Sequence, residues 1–249
     1  HGHHRRQRQM CIRDSKIPEL ERGAKPRPIS KLGVIGGGTM GSGITIAALN
    51  SGLPVTMVER DQESLERGIE NVKKVYRRDV EKGRLSQEKA DKILSNYSTS
   101  THLKDLSDKD MIIEAVFEEL EVKKSVFSQL NDIAKEGAVL ASNTSYLDID
   151  KIASATDRVG DVIGLHFFSP ANIMRLLEIV VPTNVKDDVV ATGFQLAKIL
   201  KKVPVRAGNC DGFIGNRVLE NYAKAANYMM EDGTSPYDLS LIHISEPTR

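Results

Sequence analysis

Residues 31–41 read KLGVIGGGTMG, and this stretch decides the fold. Lys31–Gly36 is a short apolar run that flows straight into glycines, the pattern of a strand buried on both faces. Residues 39–51 continue as a helix of small residues that ends near Asn50 and Gly52. The glycines fall at Gly36, Gly38 and Gly41, in the order G-x-G-x-x-G. Such spacing alone is weak, but here it leaves a strand and opens a helix, the context in which it binds a dinucleotide. Gly36 allows the tight turn, Gly38 lets the backbone approach a pyrophosphate, and Gly41 lets helix and strand pack closely. The helix start then offers free N–H groups to phosphate.

Outward from this loop, strands and helices alternate. Strands are expected at 54–59, 110–116, 138–143, 160–168, 175–182 and 203–206. Helices are expected at 61–83, 86–94, 121–135 and 187–201, and a further helix after Asn209, around 212–231. The helix at 61–83 carries Leu65, Ile69, Val72, Tyr76 and Val80 on one face. That at 121–135 is expected to bury Val122, Val126, Phe127, Leu130 and Ile133. Strands alternating with helices of this length make an α/β, doubly wound, mostly parallel sheet, followed by the truncated start of an all-α second domain.

Composition sets the class. The chain has 249 residues, 40% of them hydrophobic, and a net charge of +1. No field of one sign draws it to nucleic acid or an anionic membrane, and no apolar run is long enough to span a bilayer. Two cysteines, Cys11 and Cys210, make no disulfide framework and suggest a reducing compartment. Residues 1–15 and 239–249 lack any helical or strand period and read as non-native tails; residues 16–28, with three prolines, read as a linker. The dinucleotide-binding domain is then 29–208, and the helical part begins at 209–238.

Glu59 ends the second strand, 18 residues after Gly41, where an acid binds adenosine ribose hydroxyls and repels a 2′-phosphate. NAD is therefore expected over NADP. Three anomalies mark the chemistry. His166 interrupts an apolar strand near its C-terminal end, the edge where such sheets hold ligands. Glu178 lies inside the apolar run RLLEIVV (175–181), where an unpartnered carboxylate would cost several kcal/mol. Ser142-Asn143-Thr144-Ser145 is a polar stretch at another strand end. Singly, each has an ordinary explanation as a core histidine, an edge glutamate or a turn. Together they suggest a proton acceptor, His166, held by Glu178, with Ser145 binding the reacting oxygen. The cations Lys73, Lys74, Arg77 and Arg78 read first as a solvated helix face.

The segments KLGVIGGGTMGSGI, IIEAVFEEL, ASNTSYLDI, GLHFFSPANIMRLLEIV and CDGFIGNR stand in one order over residues 31–217. In that order and spacing they resemble the NAD-binding region of L-3-hydroxyacyl-CoA dehydrogenases. The resemblance implies NAD-dependent oxidation of L-3-hydroxyacyl-CoA to 3-ketoacyl-CoA in fatty-acid β-oxidation. It implies His166 as general base, Glu178 as its orienting partner, and Ser145 and Asn216 as substrate-binding groups. Cofactor contacts are implied at Gly36, Gly38, Thr39, Met40, Gly41, Glu59, Glu118, Lys123, Ser145 and Ser169; no metal is implied. Ser169, and Cys210-Asp211 before Gly212-Phe213, resemble the dehydrogenase part of multifunctional fatty-acid oxidation enzymes. That implies an enoyl-CoA hydratase domain in the same full-length chain, pairing of subunits through the missing helical domain, and a cytoplasmic location, or a peroxisomal one in a eukaryote. Two alternatives stay open: a stand-alone 3-hydroxybutyryl-CoA dehydrogenase or a sugar-acid relative, and a non-catalytic dinucleotide-binding protein.

Overall fold

The computed structural model describes residues 17–239, so both expected tails lie outside the described residues apart from Leu239. The described chain forms one eight-stranded sheet with strand order β3-β2-β1-β4-β5-β6-β7-β8. β1 is Leu32–Ile35, β2 Val55–Val58, β3 Tyr97–Ser100, β4 Met111–Glu114 and β5 Val139–Ser142. β6 is Val162–Phe167, β7 Leu176–Val181 and β8 Val203–Gly208. Pairing is parallel from β3 through β6, antiparallel between β6 and β7, and parallel again between β7 and β8. The doubly wound, mostly parallel architecture read from the sequence is the one observed. Order reverses beside β1, which has β2 on one side and β4 on the other, so a crevice opens past the carboxyl ends of these strands.

Around the sheet lie α1 (Pro18–Glu21), α2 (Thr39–Asn50), α3 (Gln62–Glu81), α4 (Gln87–Leu94), α5 (Leu120–Ile133), α6 (Ile149–Ala153), α7 (Asp187–Ile199) and α8 (Gly215–Glu231). The central strands are buried on both faces, with β1, β4, β5 and β6 fully covered along their length. α3 buries Leu65, Val72 and Tyr76, its expected stripe, and is capped by Asp61, which accepts from Ser64 N at 2.7 Å. Ser86 caps α4 in the same way.

Several elements depart from the sequence pattern. The period gives no strand at 97–100, yet β3 pairs there with β2. It is a four-residue edge strand of Tyr, Ser and Thr, too polar to show an apolar signature. In α5, Val122 is exposed rather than buried, while Lys123 takes the fully buried position beside Phe127 and Leu130. A buried ammonium is invisible to a hydrophobic period because its partners lie elsewhere in the chain.

The described part of the segment read as a linker is docked. Glu19 is buried and accepts from Arg206 Nη2 at 2.8 Å. Arg22 pairs with Asp187 at 2.6 Å. Arg27 pairs with Asp188 and with Asp161, each at 2.8 Å, and donates to the Gly137 carbonyl at 3.0 Å. All these partners (Arg206, Asp161, Asp187, Asp188 and the Gly137 carbonyl) are remote in sequence, so composition alone suggests a free tether. Asp161 also accepts from Lys186 at 2.9 Å. Burial works to raise its carboxyl pKa, but the Lys186 and Arg27 hydrogen bonds and charges outweigh it and hold the group below its ordinary 3.8. A depressed carboxylate contributes stability above its unfolded pKa and loses it as pH falls through the folded one. Asp161→Ala should therefore cost roughly 3 kcal/mol at pH 7, and the gap to the wild type should narrow as pH drops below 3.8 in urea-melting curves.

Candidate active site

The glycine loop follows β1. Gly36 has φ +103°, a conformation that favours glycine, and a Cβ there would lie 2.5 Å from the Ala115 carbonyl oxygen. A Cβ at Gly41 would lie 1.8 Å from the Gly36 oxygen, so α2 can reach the strand only with glycine. Gly38 is different, because nothing lies within 4 Å of its missing Cβ. It faces open space at the start of α2, whose first turn has no side-chain cap. Glu59, at the end of β2, accepts from Gly37 N at 2.6 Å and from Arg60 N at 3.1 Å. A cleft of about 740 Å³ opens here, lined by Gly36, Gly38, Glu59, Val116, Phe117 and Val122. Exposed Val122 is thus a wall of this cleft.

The second cluster lies at the same carboxyl-end edge of the sheet. β6 and β7 pair so that His166 stands directly opposite Glu178. In an antiparallel pair, directly opposed residues project from the same face, which explains the twelve-residue separation of the two. His166 Nδ1 meets Glu178 Oε2 at 2.7 Å, with the imidazole nearly buried and the carboxylate fully so. An ionised carboxylate only accepts, so Nδ1 carries a proton, and Nε2 is the nitrogen that accepts when the ring is neutral. The other oxygen, Oε1, accepts from Gly215 N at 2.7 Å. Phe168 and Phe213 pack on the ring at centroid distances of 4.4 and 5.6 Å.

The polar stretch after β5 is built on a third carboxylate. Glu114, the last residue of β4, is fully buried; it accepts from Lys123 Nζ at 2.7 Å, Ser142 Oγ at 2.6 Å and Val116 N at 2.7 Å. Burial pushes its carboxyl above the usual carboxylate range, against the pull of the Lys123 ammonium and these hydrogen bonds. Lys123 Nζ also donates to the Asn143 carbonyl at 3.1 Å and reaches Glu118 Oε2 at 3.3 Å. Glu118 accepts from the Thr144 hydroxyl and, at 2.8 Å, from Ser145 N. Desolvation works to raise Glu118, but the Thr144 bond, the Lys123 charge and the Ser145 amide hold it below its ordinary value. Where backbone pairing of β5 with β6 ends at Ser142 and Gly164, the Asn143 side chain continues it by accepting from Phe167 N at 3.2 Å. Asn216 Nδ2 donates to the Ser145 carbonyl at 3.1 Å.

The structure thus assembles two groups on one edge: a dinucleotide-type loop with an acid at the end of β2, and a histidine–carboxylate pair flanked by Ser145 and Asn216. The comparisons decide the family. Residues 31–210 match the model of the NAD-binding domain of 3-hydroxyacyl-CoA dehydrogenase. The chain belongs to this family. It is 42% identical over 218 residues to the peroxisomal bifunctional enzyme of Cavia porcellus, covering 87% of the chain and 30% of that protein. Among solved structures it is similar to FadB2 of M. tuberculosis, with a TM-score of 0.83, 34% identity, and coverage of 89% of this chain and 80% of that one. It is also similar to the dehydrogenase part of multifunctional enzyme 1 from C. elegans, with a TM-score of 0.71, 32% identity, and coverage of 87% and 50%. The chain spans about a third of the length of the curated relatives it matches. The family model is that of an NAD-binding domain, so the cofactor is NAD.

Within this dehydrogenase domain, Lys123 has no exposed surface. It reaches the site through Glu118 and the Asn143 carbonyl. Ser169 is exposed, beside the cis bond to Pro170, and Thr39 and Gly38 are exposed at the start of α2. Glu114, Phe168 and Phe213 are site residues to which the sequence reading gave no role, and Asn143 entered it only as part of the polar stretch 142–145. For Glu114 the signal was available, since a carboxylate in the apolar run MIIEAV is the same anomaly as Glu178. Lys123→Met leaves Glu114 buried without its cation and should destabilise the fold by about 3–5 kcal/mol. Adding Glu114→Gln should recover much of that loss, as read from denaturant midpoints.

Proposed function

We propose that this chain carries the catalytic pair and cofactor site for NAD-dependent oxidation of L-3-hydroxyacyl-CoA to 3-ketoacyl-CoA. The observation that carries the reading is the 2.7 Å contact of His166 Nδ1 with the buried Glu178 carboxylate. It leaves Nε2 free to take a proton at the sheet edge where the glycine loop also opens. Open space around Gly38 and the uncapped start of α2 fit a pyrophosphate. Gly36, Gly38, Thr39, Met40 and Gly41 would hold it, Glu59 the adenosine ribose, and Glu118, Ser145 and Ser169 the nicotinamide end.

NAD supplies the hydride acceptor for the C3 hydrogen. His166 Nε2 takes the C3 hydroxyl proton as the C3–O bond becomes a carbonyl, and Glu178 stabilises the imidazolium that forms. Ser145 and Asn216 orient the C3 oxygen and the thioester. Phe168 and Phe213 keep water from the ring, which strengthens the pair's electrostatics. Lys123 and Glu114 hold the 142–145 turn in place.

In the full-length protein this unit follows an enoyl-CoA hydratase domain and pairs through further helices, and in a eukaryote it acts in peroxisomes. The support is the resemblance to bifunctional and multifunctional relatives with peroxisomal names. Among the described residues no helix is long and apolar enough to cross a membrane. On α8, Val218, Leu219, Tyr222 and Met229 are exposed, which suits burial against helices of a second domain.

His166→Ala should lower kcat by about 10²–10⁴ while NAD affinity stays nearly unchanged. Acetoacetyl-CoA-dependent consumption of NADH measures the first, and NADH fluorescence titration the second. A matching loss of NADH affinity would mark His166 as a structural residue and defeat the proposal.

A further inference from the structure

α8 reaches both halves of the site with its first two residues. Gly215 N–H donates to Glu178 Oε1 at 2.7 Å, while Oε2 of the same carboxylate takes His166 Nδ1 at 2.7 Å. Asn216 then donates to the Ser145 carbonyl. A Cβ on Gly215 would stand 2.9 Å from the Phe168 ring, so this backbone packs directly on an aromatic face that also covers His166.

The match of needs is reciprocal. The first N–H groups of a helix have no partner within it and carry the positive end of its dipole. Glu178 is fully buried, and a buried carboxylate oxygen without a donor is costly. One donor on each oxygen also fixes the carboxylate plane, which one bond alone leaves free to rotate.

We infer that the Gly215 backbone N–H is a positioning group for the dyad, so that docking of α8 sets the plane of Glu178 and, through it, the imidazole. The helical segment then contributes to proton transfer through its first peptide. This inference rests on the dehydrogenase reading.

The contact is tested first by NMR of the ¹⁵N-labelled chain. The Gly215 amide should lie downfield and exchange slowly; in Glu178→Gln, a weaker acceptor, it should move upfield and exchange faster. A Gly215 amide unmoved by Glu178→Gln overturns the inference. Kinetics test the consequence. Gly215→Ala adds a Cβ and keeps the donor, whereas Gly215→Pro deletes the donor at the first helical position. The proline also disfavours the helical backbone of Ile214 before it, so kcat is compared only between variants whose amide spectra outside the site match the wild type. kcat in the proline variant should be about ten-fold or more below the alanine variant, with KM for NADH unchanged and the gap gone in a Glu178→Gln background. Equal kcat values, or a gap that persists with Glu178→Gln, contradict the inference. A wild type that consumes no NADH with acetoacetyl-CoA defeats the dehydrogenase reading alone, and the amide shift still decides the contact.

Discussion

A carboxylate with no exposed surface sits in the middle of a strand at Glu178, and the site is arranged around keeping it there. Moving such a group out of water is costly unless every oxygen is met. The chain meets one oxygen with an imidazole from the neighbouring strand and the other with the first backbone amide of α8. The antiparallel turn of β7 against β6 makes the first contact possible, since a parallel neighbour would need a long crossover to bring these two residues opposite each other. The result is a histidine with a fixed tautomer and one free nitrogen.

Glu114 repeats the device one layer along the same edge. It too is a strand-borne carboxylate with no exposed surface, and Lys123, Ser142 and the Val116 amide surround it. Its product is a rigid turn after β5, in which Lys123 and Glu118 hold Asn143, Thr144 and Ser145. Two buried anions thus organise the two polar clusters. Glu114 reaches the edge where β1 delivers its glycine loop on a parallel strand, β4, and Glu178 faces His166 there from the antiparallel β7.

Much of this was legible in the sequence because the signals are local. The strand–glycine–helix passage at 31–41 shows in residue order, and so does the intrusion of His166 and Glu178 into apolar runs. The resemblance to the family then gave roles to Ser145, Asn216 and Glu118. What stayed hidden depends on pairing across long separations. Lys123 was implied as a cofactor contact by the resemblance, but its burial against Glu114 and the Asn143 carbonyl was not legible. The segment 17–28 reads as a tether because Asp161, Asp187 and Asp188 lie far along the chain. β3 is too short and polar to show a period. Periodicity finds which face is buried; it does not find which charges are buried together.

The central claim is that a neutral His166, held by Glu178, faces the nicotinamide of a dinucleotide lying across the glycine loop. A crystal structure of this chain with NADH measures it directly. The account predicts the pyrophosphate over Gly38 at the start of α2, and the nicotinamide C4 turned toward the Nε2 side of His166, with the Nδ1–Glu178 hydrogen bond intact. A nicotinamide bound away from β6, or a His166 ring separated from Glu178 when the cofactor is in place, would contradict it.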